Sequence, residues 1–304
     1  MVEDNHTFAS EFILLGFTSQ KDLQVTCFVF FLAIYVVTLV GNLRVILLIK
    51  RDLCLHTPRS FFLSPLSLLD VCCSSTIIPQ TSRISLLGCF AQIYFFVALV
   101  ICECFLLGVM AFDRYVAVCR PLLYAAVMSR ARCHGSMALV YATGFLSSLV
   151  HVVLVGRLSF CQGRDVNHFF CELPTILQLS CSDARASEIL QVSDAVLTDV
   201  GSILMILVSY AYIIGTIVRM PAGRGRLKGF STCTSHLVAI TIFYAPVMLT
   251  YFQPRKARSR DQAKAVSVCY ALLTPALNPL IYSLRNAEVK GALRRLWVRK
   301  LAPR

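Results

Sequence analysis

An acid, a base and a phenol stand side by side at Asp113, Arg114 and Tyr115, closing an apolar run that ends MAFDRYVAVC (Met110 to Cys119). Charges at the end of a hydrophobic helix are expensive in lipid, so they lie at the water interface or against protein. Asp113 can hold the neighbouring guanidinium in an ion pair. Arginine suits a reversible contact because its charge persists and its planar fork fits carboxylate and backbone acceptors. The alternative is a helix-end anchor that snorkels to the headgroups. Asp70 and Glu103 are carboxylates deep in apolar stretches, costly unless both face the inside of a bundle. Asn278 precedes Pro279, which breaks the helical ladder and permits a kink. Lys228, Thr232, Ser235 and His236 recur at spacings of three and four, near one face of a helix that must meet protein or water. No nucleophile, base and orienter set, zincin string or phosphate loop occurs, so the residues do not suggest an enzyme.

These groups need a bundle to hold them, and the composition points to one. Of 304 residues 57% are hydrophobic and 15% charged, and the mean hydropathy is +0.70. A soluble domain is less apolar; a polytopic helical membrane protein has this balance. The formal net charge of +13 is scattered in short clusters between apolar segments, as in membrane-protein loops, so no nucleic-acid partner is expected. Seven apolar windows are long enough to span a bilayer: Leu23 to Ile49, Ser60 to Ser82, Ala91 to Val118, Ser136 to Gly156, Ile189 to Val218, Phe230 to Phe252 and Ala265 to Leu284. The N-terminus shows no basic n-region or small-residue cleavage site, so the first window reads as an uncleaved span. The sequon at Asn5-His6-Thr7 places a glycosylation site ahead of it and hence the N-terminus outside. Lys and Arg are in excess on the side that begins with Lys50-Arg51, which agrees, although the cluster from Arg255 to Arg260 opposes the bias. After Asn286, Lys290, Arg294, Arg295, Arg299 and Lys300 interleave with Val289, Leu293, Leu296 and Trp297, the pattern of an amphipathic interfacial helix. The expected fold class is an all-α membrane protein, one seven-helix transmembrane domain over 1–304. Its parts are an extracellular N-terminus 1–22, a bundle 23–284 and a cytoplasmic tail 285–304 that carries the amphipathic helix.

Most of the 14 cysteines lie inside apolar segments and count as small hydrophobes. Cys89, Cys161, Cys171 and Cys181 fall on the outer side, where disulfides form, and can pair in three ways.

Seven spans, an outside N-terminus and Asp-Arg-Tyr at the inner end of the third resemble the rhodopsin-like G protein-coupled receptors. Four longer strings narrow the likeness: LHTPRSFFLSPLSLLD (Leu55 to Asp70), MAFDRYVAVCRPLLY (Met110 to Tyr124), KGFSTCTSHL (Lys228 to Leu237) and PALNPLIYSLRN (Pro275 to Asn286). In this order and spacing they look like the motif set of the olfactory (odorant) receptors. The resemblance implies a multi-pass plasma-membrane receptor that binds a small odorant in the outer half of the bundle. It also implies activation of a heterotrimeric stimulatory G protein and a rise in cyclic AMP, with the lipid bilayer as surroundings.

By the same resemblance, Arg114 swings on activation toward an inner cavity, with Tyr210 and Tyr282 closing round it. The face carrying Lys228 and His236 moves outward to meet the G protein. Asp70, Glu103 and Asn278 shape a polar core that coordinates sodium or water, the alternative being a satisfied network with no ion. Cys89 pairs with Cys171 and Cys161 with Cys181, folding the long loop over the pocket as a lid. The pocket lies among spans three, five and six, where helical phase brings Phe96, Val97, Val100 and Ile101 inward, with Asp194, Thr198, Tyr244, Val247 and Tyr251. An apolar wall with a few polar groups suits a small volatile molecule, and each of these side chains can equally be a helix-packing residue. Asp194 can meet an amine or polar odorant group, or a neighbouring helix. The stretch His168 to Glu172 resembles a metal-binding string suggested for this family. A disulfide-bonded sulfur is no thiolate ligand, however, and no metal or cofactor is expected.

The chain departs from that family's pattern in several places. Between Pro79 and Cys89 it is shorter by about two helical turns. Arg44 puts a charge within the first span, Arg59, Ser60 and Pro65 replace the usual Met, Tyr and Asn, and Tyr141 stands where a Trp is usual. A degenerate member with impaired folding or surface expression is therefore the alternative to a signalling receptor. A secondary transporter would show repeated halves, and none is visible.

Overall fold

The computed structural model describes residues 11–285 apart from 19, 53–54, 56, 78–82, 162–163, 222 and 253–259, together with 289–292 and 295. Within the helices some side chains also fall outside the description, among them those of Lys228, Val247, Tyr251 and Tyr282.

Each apolar run becomes a long helix, because in the absence of water backbone groups must be satisfied within their own segment. These helices are α1 (Lys21–Arg51), α2 (Pro58–Ile77), α3 (Leu86–Cys119), α4 (Arg130–Val155), α5 (Arg185–Arg219) and α6 (Arg224–Phe252). The last, α7, runs from Arg260–Val268 through a π-helical turn, Cys269–Leu273, into Thr274–Arg285. Among the described residues, six helices are long and apolar enough to cross a membrane, and α6 carries a shorter apolar stretch, His236–Pro246. Ser85 starts α3 by accepting from the Gly88 N–H at 3.1 Å, a side-chain cap for an otherwise orphan donor. Pro121 disfavours helix at Arg120 and so ends it.

The helix α3 is the axis of the bundle. Its apolar window is 67% buried, against 28% in α4 and 6% in α1. It packs on α2, α4 and α5, while α7 lies against α1, α2 and α6. Gly41 permits the closest approach of α1 to α7, since a Cβ there would fall 2.7 Å from the Pro279 Cγ.

One end of the bundle carries a three-stranded sheet that composition did not foretell. In order β2-β1-β3, the strand β1 (Glu11–Leu14) pairs antiparallel with β2 (Arg83–Ser85) and parallel with β3 (Asp165–Val166). Phe12 and Leu14 point into the core and Glu11 is exposed, the period-two alternation of a half-buried strand. Gly16 then turns the chain toward α1 at φ +67°, a conformation open to glycine. The helix α3 begins at Leu86, earlier than the expected Ala91, so Cys89 lies in the helix. The sequon residue Asn5 and the basic cluster from Arg255 to Ser259 lie outside the described residues.

At the other end of α1, residues 289–292 are helical, with Val289 and Ala292 fully buried and Lys290 exposed. Nearby, Arg295 donates to Asp52 Oδ2 through Nε at 3.1 Å and Nη2 at 2.7 Å.

Candidate functional site

The α3 terminus farthest from the sheet buries its charges. Asp113 is 1% and Arg114 5% exposed, and Arg114 Nη2 lies 3.4 Å from Asp113 Oδ2. The other carboxylate oxygen accepts from the Tyr124 hydroxyl at 2.8 Å. Tyr124 opens a single-turn helix, Tyr124–Val127, set by the Pro121–Leu123 turn. Burial first, and then the Asp113 charge, push the Tyr124 phenol well above its ordinary pKa, so it stays a donor. Tyr115 stacks at an angle on Tyr212 of α5, with ring centres 5.7 Å apart. Across the gap, the Tyr210 hydroxyl of α5 lies 3.0 Å from His236 Nδ1 of α6 and donates to the Cys233 carbonyl at 3.4 Å. The pair Asp113–Arg114 and the bridge Tyr210–His236 therefore occur as two separate closures. Lys228 and Tyr282 belong to helices whose side chains at these positions lie outside the described residues.

Midway along the bundle, Asp70, Glu103 and Asn278 are all buried. Asn278 Nδ2 donates to both Asp70 oxygens, at 3.0 and 3.2 Å. Asn42 of α1 joins the same region by donating to the Thr38 and Pro275 carbonyls; an amide in the apolar run of α1 was the available signal for it. Glu103 Oε1, Asn278 Oδ1, Asn42 Oδ1 and the hydroxyls of Ser67 and Ser74 are buried with no hydrogen-bond partner among the described residues. A set of orphaned oxygens of this kind fits a hard cation or water, either of which would satisfy it.

Toward the sheet, Phe96 is buried against Phe170 and Tyr270, with ring centres 5.0 and 6.1 Å away. Ile101 is buried as well, and Val97 and Val100 are partly so. Thr198 is buried and donates to the Asp194 carbonyl at 2.8 Å. The Tyr244 hydroxyl lies 2.6 Å from Ser202 Oγ. Val247 and Tyr251 lie outside the described residues as side chains. Asp194 lies against α4. Its Oδ2 accepts from Ser147 at 2.7 Å and meets His151 Nε2 at 3.0 Å, both on α4. A carboxylate in apolar surroundings takes the nearest donors, and α4 presents two of them one turn apart. The contacts described for this carboxylate are thus with a neighbouring helix, one of the two partners expected of it.

Above this region lies the loop between α4 and α5. Cys89 is bonded to Cys171 and Cys161 to Cys181, with Cα separations of 5.5 and 5.9 Å. Gln92, which sequence reasoning passed over, joins α2, α3 and the loop by donating to the Thr76 carbonyl at 2.6 Å and accepting from the Cys171 N–H at 2.8 Å. Glu172 Oε1 accepts from Tyr270 at 2.5 Å and Ser267 at 3.1 Å. Lys264 Nζ donates to the Gly16 carbonyl at 2.7 Å. His168, 2% exposed, faces Glu172 Oε2 at 3.3 Å without hydrogen-bonding alignment. Burial, aided by the Lys264 charge and opposed by Glu172, holds its pKa below the usual imidazole value. With Cys171 oxidised, His168 and Glu172 remain from the metal-like string. Phe17, Phe31 and Phe169 stack beside them, with ring centres 4.6 to 6.4 Å apart.

Long lipid-compatible helices around a buried acid–arginine pair, closed at the opposite end by a disulfide-bonded lid, define a multi-pass membrane protein of receptor type. The chain belongs to the olfactory receptor family: the family model described as "Olfactory receptor" matches residues 31–300. It is 48% identical to olfactory receptor 8I2 of Homo sapiens over the whole of both chains. It is 46% identical to olfactory receptor 5F1 of Homo sapiens, over 99% of this chain and 98% of that one. With olfactory receptor 5AR1 of Mus musculus it shares 45% identity, over 97% and 98% respectively. The alignment with 8I2 runs over 311 positions, so at least seven have no counterpart among the 304 residues, a shortfall equal in size to about two helical turns. The family is one of plasma-membrane receptors, not enzymes.

Proposed function

We propose that the chain is an odorant receptor that couples a small, volatile ligand to a heterotrimeric stimulatory G protein and raises cyclic AMP. Family membership along the full chain carries this reading. The ligand binds at the sheet end among α3, α5 and α6, with Phe96, Val97, Val100, Ile101, Thr198, Tyr244, Val247 and Tyr251 as its surroundings. The single seven-helix domain has residues 1–22 and the sheet outside, 23–284 as the bundle, and 285–304 as a cytoplasmic tail that docks through Val289, Ala292 and Arg295.

In the resting arrangement Asp113 and Tyr124 restrain Arg114, while Tyr210 and His236 hold α5 to α6. Opening of both closures frees the end where Asp113, Arg114, Tyr115, Tyr210, Lys228, His236 and Tyr282 meet the G protein. In the resting arrangement, before either closure opens, Asp70, Glu103 and Asn278, with Asn42, hold sodium or water. The test is a panel of odorants on cells expressing the chain, read as cyclic AMP beside an Arg114→Ala control. A response lost in the control is the expected result. A response that survives it unchanged would remove Arg114 from coupling.

A further inference from the structure

Between the segment that joins β1 to α1, the first turns of α1 and the loop residue Phe169 lies a cavity of about 270 Å³. Among the described residues, none of those assigned above to the odorant site lines it. Its buried lining includes Ile77 of α2 and Leu272 of α7. The stacked rings of Phe17, Phe31 and Phe169 supply an aromatic wall. Phe28 and Leu32 also line the cavity and are 61% and 41% exposed. They belong to the helix whose apolar window is only 6% buried, so the mouth opens toward the acyl chains that surround a spanning helix. Leu32 follows Lys21, the start of α1, by 11 positions, about 17 Å along the axis, so the cavity belongs to one half of a hydrocarbon core about 30 Å thick. Thr18 and Gln24 form its polar rim, where Gln24 Nε2 donates to the Thr18 carbonyl at 3.0 Å.

We propose that this cavity is a second binding site, which takes from the bilayer one small amphiphile, a medium-chain or terpene alcohol. The proposal rests on the chain spanning a bilayer and is independent of the odorant site. Volume sets the size: an apolar protein cavity of about 150 Å³ holds benzene, with six non-hydrogen atoms, so one of about 270 Å³ holds roughly eleven. A phospholipid, with two long acyl chains, exceeds that several-fold. Water is a poor occupant, because it needs two to four polar partners and most of this lining is aliphatic or aromatic. An alcohol of this size buries its apolar body against the phenylalanines and leaves its hydroxyl at the rim, beside Thr18, Gln24 and the headgroup water.

Cys27 lines the cavity, is partly exposed and is not in a disulfide, so it serves as the reporter. The full chain in phosphatidylcholine nanodiscs is treated with N-ethylmaleimide, and modification of each cysteine is followed by peptide mass spectrometry. At about ten times the concentration of half-effect, 1-decanol and geraniol are expected to slow modification of Cys27 about tenfold. At the same membrane concentration 1-pentanol slows it far less, and Cys119, at the far end of α3, keeps its rate. A diazirine analogue of 1-decanol is expected to label the peptides that carry Cys27 and Phe169. That label is lost in Cys27→Phe, which fills the cavity, and kept in Cys27→Ser. Slow modification of Cys27 in the bare nanodisc, insensitive to the alcohols, would mean that an acyl tail already occupies the cavity. That result, equal protection by all three alcohols, label confined to α3, α5 and α6, or label that persists in folded Cys27→Phe would overturn the proposal. Neither readout involves a G protein, so a chain that fails to raise cyclic AMP would defeat the coupling proposal and leave this one standing.

Discussion

Tyr124 bears on Arg114 through a third residue. Its hydroxyl takes one oxygen of Asp113, and the other oxygen faces the guanidinium. Tyr124→Phe removes one hydrogen bond to an ionised acceptor, worth roughly 1.5–3 kcal/mol. If the bond exists only in the restrained state, its loss raises the active fraction of a receptor that is mostly inactive by about tenfold or more. Ligand-free cyclic AMP, normalised to surface expression, is expected to rise; unchanged basal signalling would mean that Tyr124 bonds Asp113 equally in both states. Adjacency made Asp113 and Arg114 legible in the sequence, because two neighbouring residues share a helix end whatever the tertiary structure. The partners of Asp194 were less legible. Helical phase says which side of α5 a residue leaves, and a side chain at a helix–helix seam has two candidate neighbours. The π-helical turn Val196–Val200 shifts that phase, so the contacts of Asp199 with Cys104 and of Ser202 with Tyr244 stayed hidden even though both residue types stand out in an apolar run.

At the scale of elements, the lid is a small assembly of its own. It gathers the Gly16 carbonyl held by Lys264, Glu172 held by Ser267 and Tyr270, and His168 buried between them. His168 has a folded-state pKa below its ordinary 6.5. The unfolded chain therefore binds the extra proton first as pH falls, and stability drops once pH passes below about 6.5, levelling off under the folded value. His168→Gln is expected to flatten that fall in the thermal midpoint of the purified receptor between pH 7.5 and 5, ~2.5 units that bracket the transition. An unchanged slope would assign the pH dependence to other groups. The four-residue EFIL strand that ties this lid to the N-terminal segment shows clean alternation, but a pattern so short is outweighed by the long helical windows around it.

The helix α1 offers the opposite case. Arg44 is exposed between Leu43 and Leu47, both nearly half exposed. It lies seven residues before the helix end at Arg51, about 10 Å along the axis. That is within reach of snorkelling, so its cost falls below the roughly 3 kcal/mol of a midplane arginine. Arg44→Leu is expected to raise surface expression modestly in a cell-surface antibody assay; no increase would mean that the guanidinium already reaches the headgroups.

For the whole molecule, the two disulfides differ in what they hold. Cys161–Cys181 closes 20 residues within one loop, whereas Cys89–Cys171 spans 82 residues and joins that loop to α3, the axis of the bundle. In the chain-entropy view the longer closure stabilises by roughly 1 kcal/mol more than the shorter. The longer bridge also fixes the Cys171 N–H against Gln92, and through Gln92 the end of α2, so its removal exposes donors and acceptors that the shorter bridge does not touch. The sheet adds a third tie, since β1 pairs with β2 just before α3 and with β3 within the loop. Cys181→Ser therefore leaves the lid attached by the sheet and by Cys89–Cys171, and lowers the thermal midpoint only moderately. Cys89→Ser leaves it attached by the sheet alone. The expected outcome is a larger drop in midpoint for Cys89→Ser, accompanied by weaker ligand binding, because Phe169 and Phe170 lose the anchor that holds Phe170 against Phe96. Equal drops for the two variants, with ligand affinity unchanged in both, would mean that the sheet and the contacts of Glu172 hold the lid without help from α3.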